Sequence, residues 1–142
     1  MQEWALWALA SAVFAALTAI FAKVGLEGID SNFATFIRTL VIAAALVLFL
    51  TYAKKWQPLG ELSARNWLFL TLSGLATGAS WLAYFKALQM GSASQVAPID
   101  KLSVVLAVVF AVIFLGERPS AREWIGIALI AIGVFTLVFA DK

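Results

Sequence analysis

Five apolar runs, at about 4–24, 32–52, 66–88, 96–115 and 121–140, occupy most of this 142-residue chain. A helix rising 1.5 Å per residue needs about 20 residues to cross a hydrocarbon core of about 30 Å, and each run is long enough. Hydrocarbon offers no water to backbone amides, so only helices and closed barrels can span it. A barrel would show alternating segments of about 10 residues, and no such alternation is present. The expected fold is therefore all-α and integral to the membrane, with five transmembrane helices. Charged residues make up 13% of the chain, about half the share typical of soluble domains, so most of its surface must face something other than water. The first run reads as a span rather than a signal peptide: Met1-Gln2-Glu3 carries no Lys or Arg, and the run exceeds a typical h-region. The connections are short, which argues for one domain over residues 1–142.

The chain holds no Cys and no His. That excludes disulfides, thiol chemistry, zinc–thiolate sites and histidine acid–base work. No metal-ligand spacing and no cofactor motif is present, so neither a metal nor a cofactor is expected, and the chain does not read as an enzyme. The net charge of +2 comes from scattered basic residues, which leaves no nucleic-acid footprint.

Helix boundaries are written locally. Asp30-Ser31 can cap the second helix. Ser92-x-x-Gln95 and Ser120-x-x-Glu123 read as capping boxes. Lys54-Lys55-Trp56-Gln57-Pro58-Leu59-Gly60 reads as an interfacial turn, with Trp56 and Trp67 as belt residues. Gly116-Glu117-Arg118-Pro119 stops one helix before the next begins. Gly74-x-x-x-Gly78 and the Ala8, Ala12, Ala16 row are small-residue stripes, expected to permit close helix packing.

Orientation is nearly undetermined. On the side of the N-terminus lie Lys54, Lys55, Arg65, Arg118 and Arg122; on the other lie Lys23, Lys86 and Lys142, with Arg38 and Lys101 inside helices near that side. Counting those two makes five against five, and the positive-inside rule reads this imbalance. A near-tie suits a chain that inserts both ways. Because five is odd, two oppositely oriented copies would form an inverted-topology pair.

Polar residues inside the spans are the candidate site. Charges within a bilayer cost roughly 2.5–3.5 kcal/mol each on insertion scales and usually persist for a reason. Asp100 and Lys101 lie adjacent in Val96-Ala97-Pro98-Ile99-Asp100-Lys101-Leu102-Ser103. As neighbours on a helix they point about 100° apart and are not expected to pair only with each other. Arg38 lies roughly 10 Å into the second helix, and Trp81 and Tyr84 lie at a comparable level in the third. These five are the expected substrate-binding or coupling residues, with aromatic faces suited to a cavity wall. Pro98 interrupts its helix; it either loosens the backbone beside Asp100 or, with Ser94 as cap, sits in a tolerant first turn. The bland alternatives are snorkelling of Arg38, Lys101 and Lys86 to the headgroups, a structural ion pair for Asp100, and ordinary packing for the aromatic residues. Glu117 reads as an interfacial residue paired with Arg118 or Arg122.

Val96-Ala97-Pro98, Phe114-Leu115-Gly116-Glu117-Arg118-Pro119-Ser120, Gly126-Ile127 and Ile132-Gly133-Val134 together resemble the EamA unit of the drug/metabolite transporter superfamily. The five-helix length matches one unit, so the resemblance covers the whole chain, and it is similar to single-unit bacterial and archaeal members. The resemblance implies transport of small metabolites, amino acids or drugs through a cavity between two inverted units; spans that are helices rather than barrel strands imply the inner membrane. It brings no shared catalytic residue. The first helix carries no charge between Trp4 and Ala22, so the intramembrane glutamate used by related four-helix exporters is absent, and Asp100 is the acidic residue well inside a helix.

The resulting expectation is a secondary transporter acting as a homodimer, with two antiparallel copies bringing their polar clusters near the midplane. Arg38 and Lys101 against Asp100 leave the cavity positive, which favours a substrate with an anionic group, Trp81 and Tyr84 contacting its apolar part. The alternative is a non-transporting membrane subunit that assembles with a partner membrane protein; it predicts one fixed orientation.

Overall fold

The molecule is seen in a computed structural model that describes residues 3–139; Met1, Gln2 and Lys142, the last counted above among the basic residues, lie outside the described residues. Among those residues all regular elements are helical: α1 (Glu3–Gly25), α2 (Ser31–Ala53), α3 (Ala64–Met90), α4 (Ala93–Asp100), α5 (Leu102–Phe110) and α6 (Ala121–Phe139). A short 3₁₀ turn, Leu59–Glu61, precedes α3, and α5 ends in a π-wound turn, Ala111–Leu115. Five stretches are long and apolar enough to cross a membrane, with Ala93–Leu115 counting as one. They coincide with the five apolar runs to within a few residues. Residues 22–90 form one compact unit; residues 3–21 and 91–139 form the other.

In the unit of residues 22–90, α2 packs on α3. Asp30 caps α2: its Oδ1 accepts from the amides of Asn32 at 2.9 Å and Phe33 at 3.1 Å, which satisfies donors that the first helical turn leaves without partners. Leu26, Ala34, Phe85 and Leu88 form the buried apolar core, and Ser31 and Thr35 are buried with them. Thr35 Oγ1 donates to the Ser31 carbonyl at 2.8 Å, so its hydroxyl is satisfied without leaving its own helix. Lipid is as apolar as these side chains, so close van der Waals fit and hydrogen bonds, rather than expulsion of water, hold such helices together. Gln89 Nε2 donates to the Ile29 carbonyl at 3.0 Å and ties the end of α3 to the α1–α2 turn.

α2 ends in a Schellman motif. Lys54 takes the left-handed conformation (φ 54°), its amide bonds the Thr51 carbonyl, and the Lys55 amide reaches back to Leu50 at 3.1 Å. Glycine usually holds that position. The expected turn is present; a lysine at positive φ within it is a further finding. Trp56 Nε1 donates to Thr51 Oγ1 at 3.1 Å.

In the other unit, α4 and α5 both pack on α6. The Ser92 amide donates to Gln95 Oε1 at 3.3 Å and the Ser92 hydroxyl to the same oxygen at 2.6 Å, so Ser92 and not Ser94 opens α4. This corrects the first-turn reading of Pro98, which lies in the second turn inside the helix. Proline lacks an N–H and its ring crowds the carbonyl four residues back. The helix breaks three residues later: Lys101 (φ −70°, ψ −6°) makes a tightened step, its amide bonding the Pro98 carbonyl at 3.0 Å and its carbonyl accepting from Val104 at 3.0 Å. The span ends where Gly116 turns left-handed (φ 69°) and the Glu117 amide reaches back to Ala111 at 3.2 Å, a wide cap that leaves the last turn π-wound. Ser120 then caps α6 by donating its amide to Glu123 Oε2 at 2.6 Å and its hydroxyl to the same oxygen at 2.8 Å.

Large apolar residues on every span are exposed in the single chain, among them Trp4, Leu48, Leu75, Phe114 and Leu129. A Cβ placed on Gly74 or Gly78 would meet nothing within 4 Å. The expected close helix packing at this stripe is therefore not present among the described residues: with no neighbour drawn in, the glycines lie open.

Candidate functional site

Arg38 is the eighth residue of α2, so it lies about 10 Å from the start of that helix. It is half-buried. Its guanidinium carbon stands 4.3 Å from the centroid of the Trp81 ring and 5.1 Å from that of Phe85. A cation over aromatic faces is held by the ring quadrupole, with an attraction of about 0.5–1 kcal/mol when exposed and about 2 or more when desolvated. The planar guanidinium stacks there as an ammonium could not. Phe85 is itself 3% exposed, and the Tyr84 ring meets it edge-on at 6.4 Å. Arg38 Nη1 is buried and has no hydrogen-bond partner among the described residues.

Phe85 is the residue the sequence reasoning missed. It lies four positions after Trp81 on α3, the spacing that puts two side chains on one helix face, and the expected residues of that helix, Trp81 and Tyr84, did not include it. One face of the Trp81 ring supports Arg38, so Trp81 serves first as the platform of the cation.

Asp100 and Lys101 meet in the other unit: Lys101 Nζ lies 3.3 Å from Asp100 Oδ2, with the side chains 51% and 36% exposed. They are the one ion pair among the described residues, which corrects the expectation that neighbours 100° apart would not pair only with each other. The cause is local. α4 ends at Asp100, and the tightened step at Lys101 departs from the regular helix on which that angle rests. Pro98 sits half-buried two residues before Asp100. The expected residues thus fall into two groups: Arg38 and Trp81, with Tyr84 beside Phe85, in residues 22–90, and Pro98, Asp100 and Lys101 in residues 91–139. Lys86 is exposed.

A cavity of about 360 Å³ lies beside Val108, Glu117, Gly126 and Ile130. Glu123 is on its wall but is engaged by Ser120, and this cavity belongs to the α5–α6 turn.

Five long apolar helices with a few ionisable side chains along them, one of them set against aromatic rings, define a polytopic helical membrane protein. Residues 2–139 match the EamA-like transporter family, and the chain belongs to that family. An "uncharacterized transporter in cobO 3'region" from Sinorhizobium sp is 55% identical over 136 residues, covering 96% of each chain. The "uncharacterized transporter YxxF" of Bacillus subtilis (strain 168) is 29% identical over 135 residues, covering 94% of this chain but 42% of that protein. No solved structure matches.

Proposed function

We propose that this protein is a secondary transporter that carries a small metabolite, amino acid or drug-like solute across the bacterial inner membrane as a homodimer of antiparallel copies. The observation that carries this reading is the match of a single five-span unit to a transporter family over residues 2–139. The Bacillus relative, also named a transporter, matches over 42% of its length, so a region like this chain makes up less than half of it. Transporters of this kind rock one repeat against another about a site near the midplane. One copy holds one unit, and a second would supply the other.

The near-equal basic counts of the two sides support opposite insertion. Arg38, Trp81 and Tyr84 would then contribute a solute-contacting wall from each copy. Asp100 is the candidate coupling acid, with Lys101 as its counter-charge, and the tightened backbone after Pro98 is the place where α4 and α5 could flex, as broken helices do in transporters.

Topology tests the reading. A periplasm-active and a cytoplasm-active reporter, fused separately after Lys142 and read in the native host, should both give signal. If only one does, the antiparallel homodimer is wrong, and a parallel dimer or an oppositely oriented partner takes its place.

A further inference from the structure

We infer that Arg38 is the receptor for a single carboxylate on an apolar, monoanionic solute; this rests on the transport reading and names the class of what is carried. Three observations converge on Arg38. Its guanidinium is oriented by two rings, Trp81 at 4.3 Å and Phe85 at 5.1 Å. One of its terminal nitrogens, Nη1, is shielded and unmatched among the described residues. It also lies about a third of the way into an apolar span of 23 residues, where a donor without an acceptor is costly and an anion is strongly attracted. A shielded donor on a fixed cation is an unfilled half of a charge-assisted hydrogen bond, and those to carboxylates are the strong ones.

The surroundings select the anion. The hydroxyls of Thr35, one turn before Arg38, and of Thr39, next to it, are engaged: Thr35 donates to the Ser31 carbonyl and Thr39 to the Thr35 carbonyl, each at 2.8 Å. They keep lone pairs but have no proton left to offer. A phosphate dianion carries nearly two charges and three acceptor oxygens, and α2 offers it one guanidinium. A carboxylate carries one charge and matches the planar donor edge of arginine. Trp81 and Phe85 flank the guanidinium, and Tyr84 meets Phe85 edge-on, an aromatic neighbourhood that suits an apolar or aromatic body attached to the carboxylate.

The test is chemical labelling of the whole protein in nanodiscs of zwitterionic lipid. Phenylglyoxal modifies guanidinium groups, and peptide mass spectrometry reads Arg38 apart from Arg65, Arg118 and Arg122. The probe is 4-fluorobenzoate, and 4-fluorobenzamide is its uncharged match. The expected result is that 4-fluorobenzoate at roughly ten times its Kd slows labelling of Arg38 about tenfold, while the amide does not and the other three arginines are unaffected. Equal protection by the amide, or no protection by the acid up to its solubility limit, overturns the inference. So does Arg38 labelling that is already suppressed when anionic lipid replaces the zwitterionic lipid, since an anionic headgroup then occupies the guanidinium. The readout is equilibrium binding and needs no turnover. Protection in a protein whose reporters show one fixed orientation would uphold the carboxylate site while the antiparallel transporter fails.

Discussion

Lys23 Nζ donates to the carbonyl of Leu88 at 2.6 Å, although 65 residues separate them. Leu88 is fully buried and lies in the last turn of α3, where carbonyls have no partner within the helix. A cation there also faces the negative end of the helix dipole. Replacing Lys23 by Met keeps most of the stem and leaves that carbonyl without this donor. The expected loss of stability is roughly 1–3 kcal/mol, read as a lower melting temperature in detergent. Lys23→Arg should recover most of it. An unchanged melting temperature in Lys23→Met would mean that lipid or water satisfies the carbonyl equally well.

Lys54 holds a left-handed conformation at the end of α2 without being glycine. An L side chain there crowds the following carbonyl at a cost of roughly 1–2 kcal/mol. Lys54→Gly removes that crowding and returns part of the gain as chain entropy. The net expectation is a gain of up to about 1 kcal/mol, seen as a higher melting temperature. A loss would show that the Lys54 side chain holds the turn through the interface. The same variant removes one basic residue from the N-terminal side, so it should also shift the two topology reporters toward the opposite orientation.

The spans and their caps were legible in the sequence because both are local. Hydropathy over about 20 residues and a Ser or Asp placed before an apolar run depend on no distant contact, and Asp30, Ser92, Ser120 and Gly116 act where they were expected to act. What escaped is hydrogen-bond geometry and tertiary reach. The tightened step falls on Lys101, three residues beyond the proline that disturbs the ladder, so a reading centred on Pro98 looked one turn too early. The pairing of Asp100 with Lys101 followed from that step. The Phe85 contact and the Lys23–Leu88 bond depend on where α3 lies, which no window of sequence contains. The glycines lie open within the single chain for the same reason: a small-residue stripe says that a helix can approach, not that one within the same chain does.

Gly74 and Gly78 should therefore accept Ala without cost to the fold of the single chain. Nothing lies within 4 Å of the added methyl groups, and Gly to Ala within a helix typically gains about 1 kcal/mol. Gly74→Ala/Gly78→Ala should match or exceed the wild-type melting temperature. Loss of the dimer in cross-linking, with that temperature maintained, would locate the second copy on this stripe. A fall in stability of the monomer itself would contradict the open geometry.

Pro98→Ala restores an amide that can bond the Ser94 carbonyl and relieves the crowding behind the ring. Proline in a helix interior costs roughly 3 kcal/mol relative to alanine, so the variant should be more stable. The amides from Lys101 to Val104 should also exchange more slowly with deuterium as the regular ladder runs through them. If exchange there is unchanged, Lys101 and the packing of α4 and α5 on α6 set the break, and Pro98 does not.

Asp100→Asn separates coupling from architecture. The pair with Lys101 is partly exposed in the single chain, and such pairs contribute only about 0–1 kcal/mol, so the variant should melt close to wild type. If Asp100 is the coupling acid, proteoliposomes holding the variant should still exchange a carboxylate solute across the membrane at equal concentrations. They should fail to accumulate it against a gradient, because Asn is fixed in the neutral form and cannot alternate between charge states. Lys101→Met discriminates further. It removes the counter-charge and keeps the acid, so accumulation should persist with an altered pH profile. Accumulation by Asp100→Asn equal to wild type would assign the pair to holding the tightened turn after Pro98, and the driving ion would have to act elsewhere in the bundle.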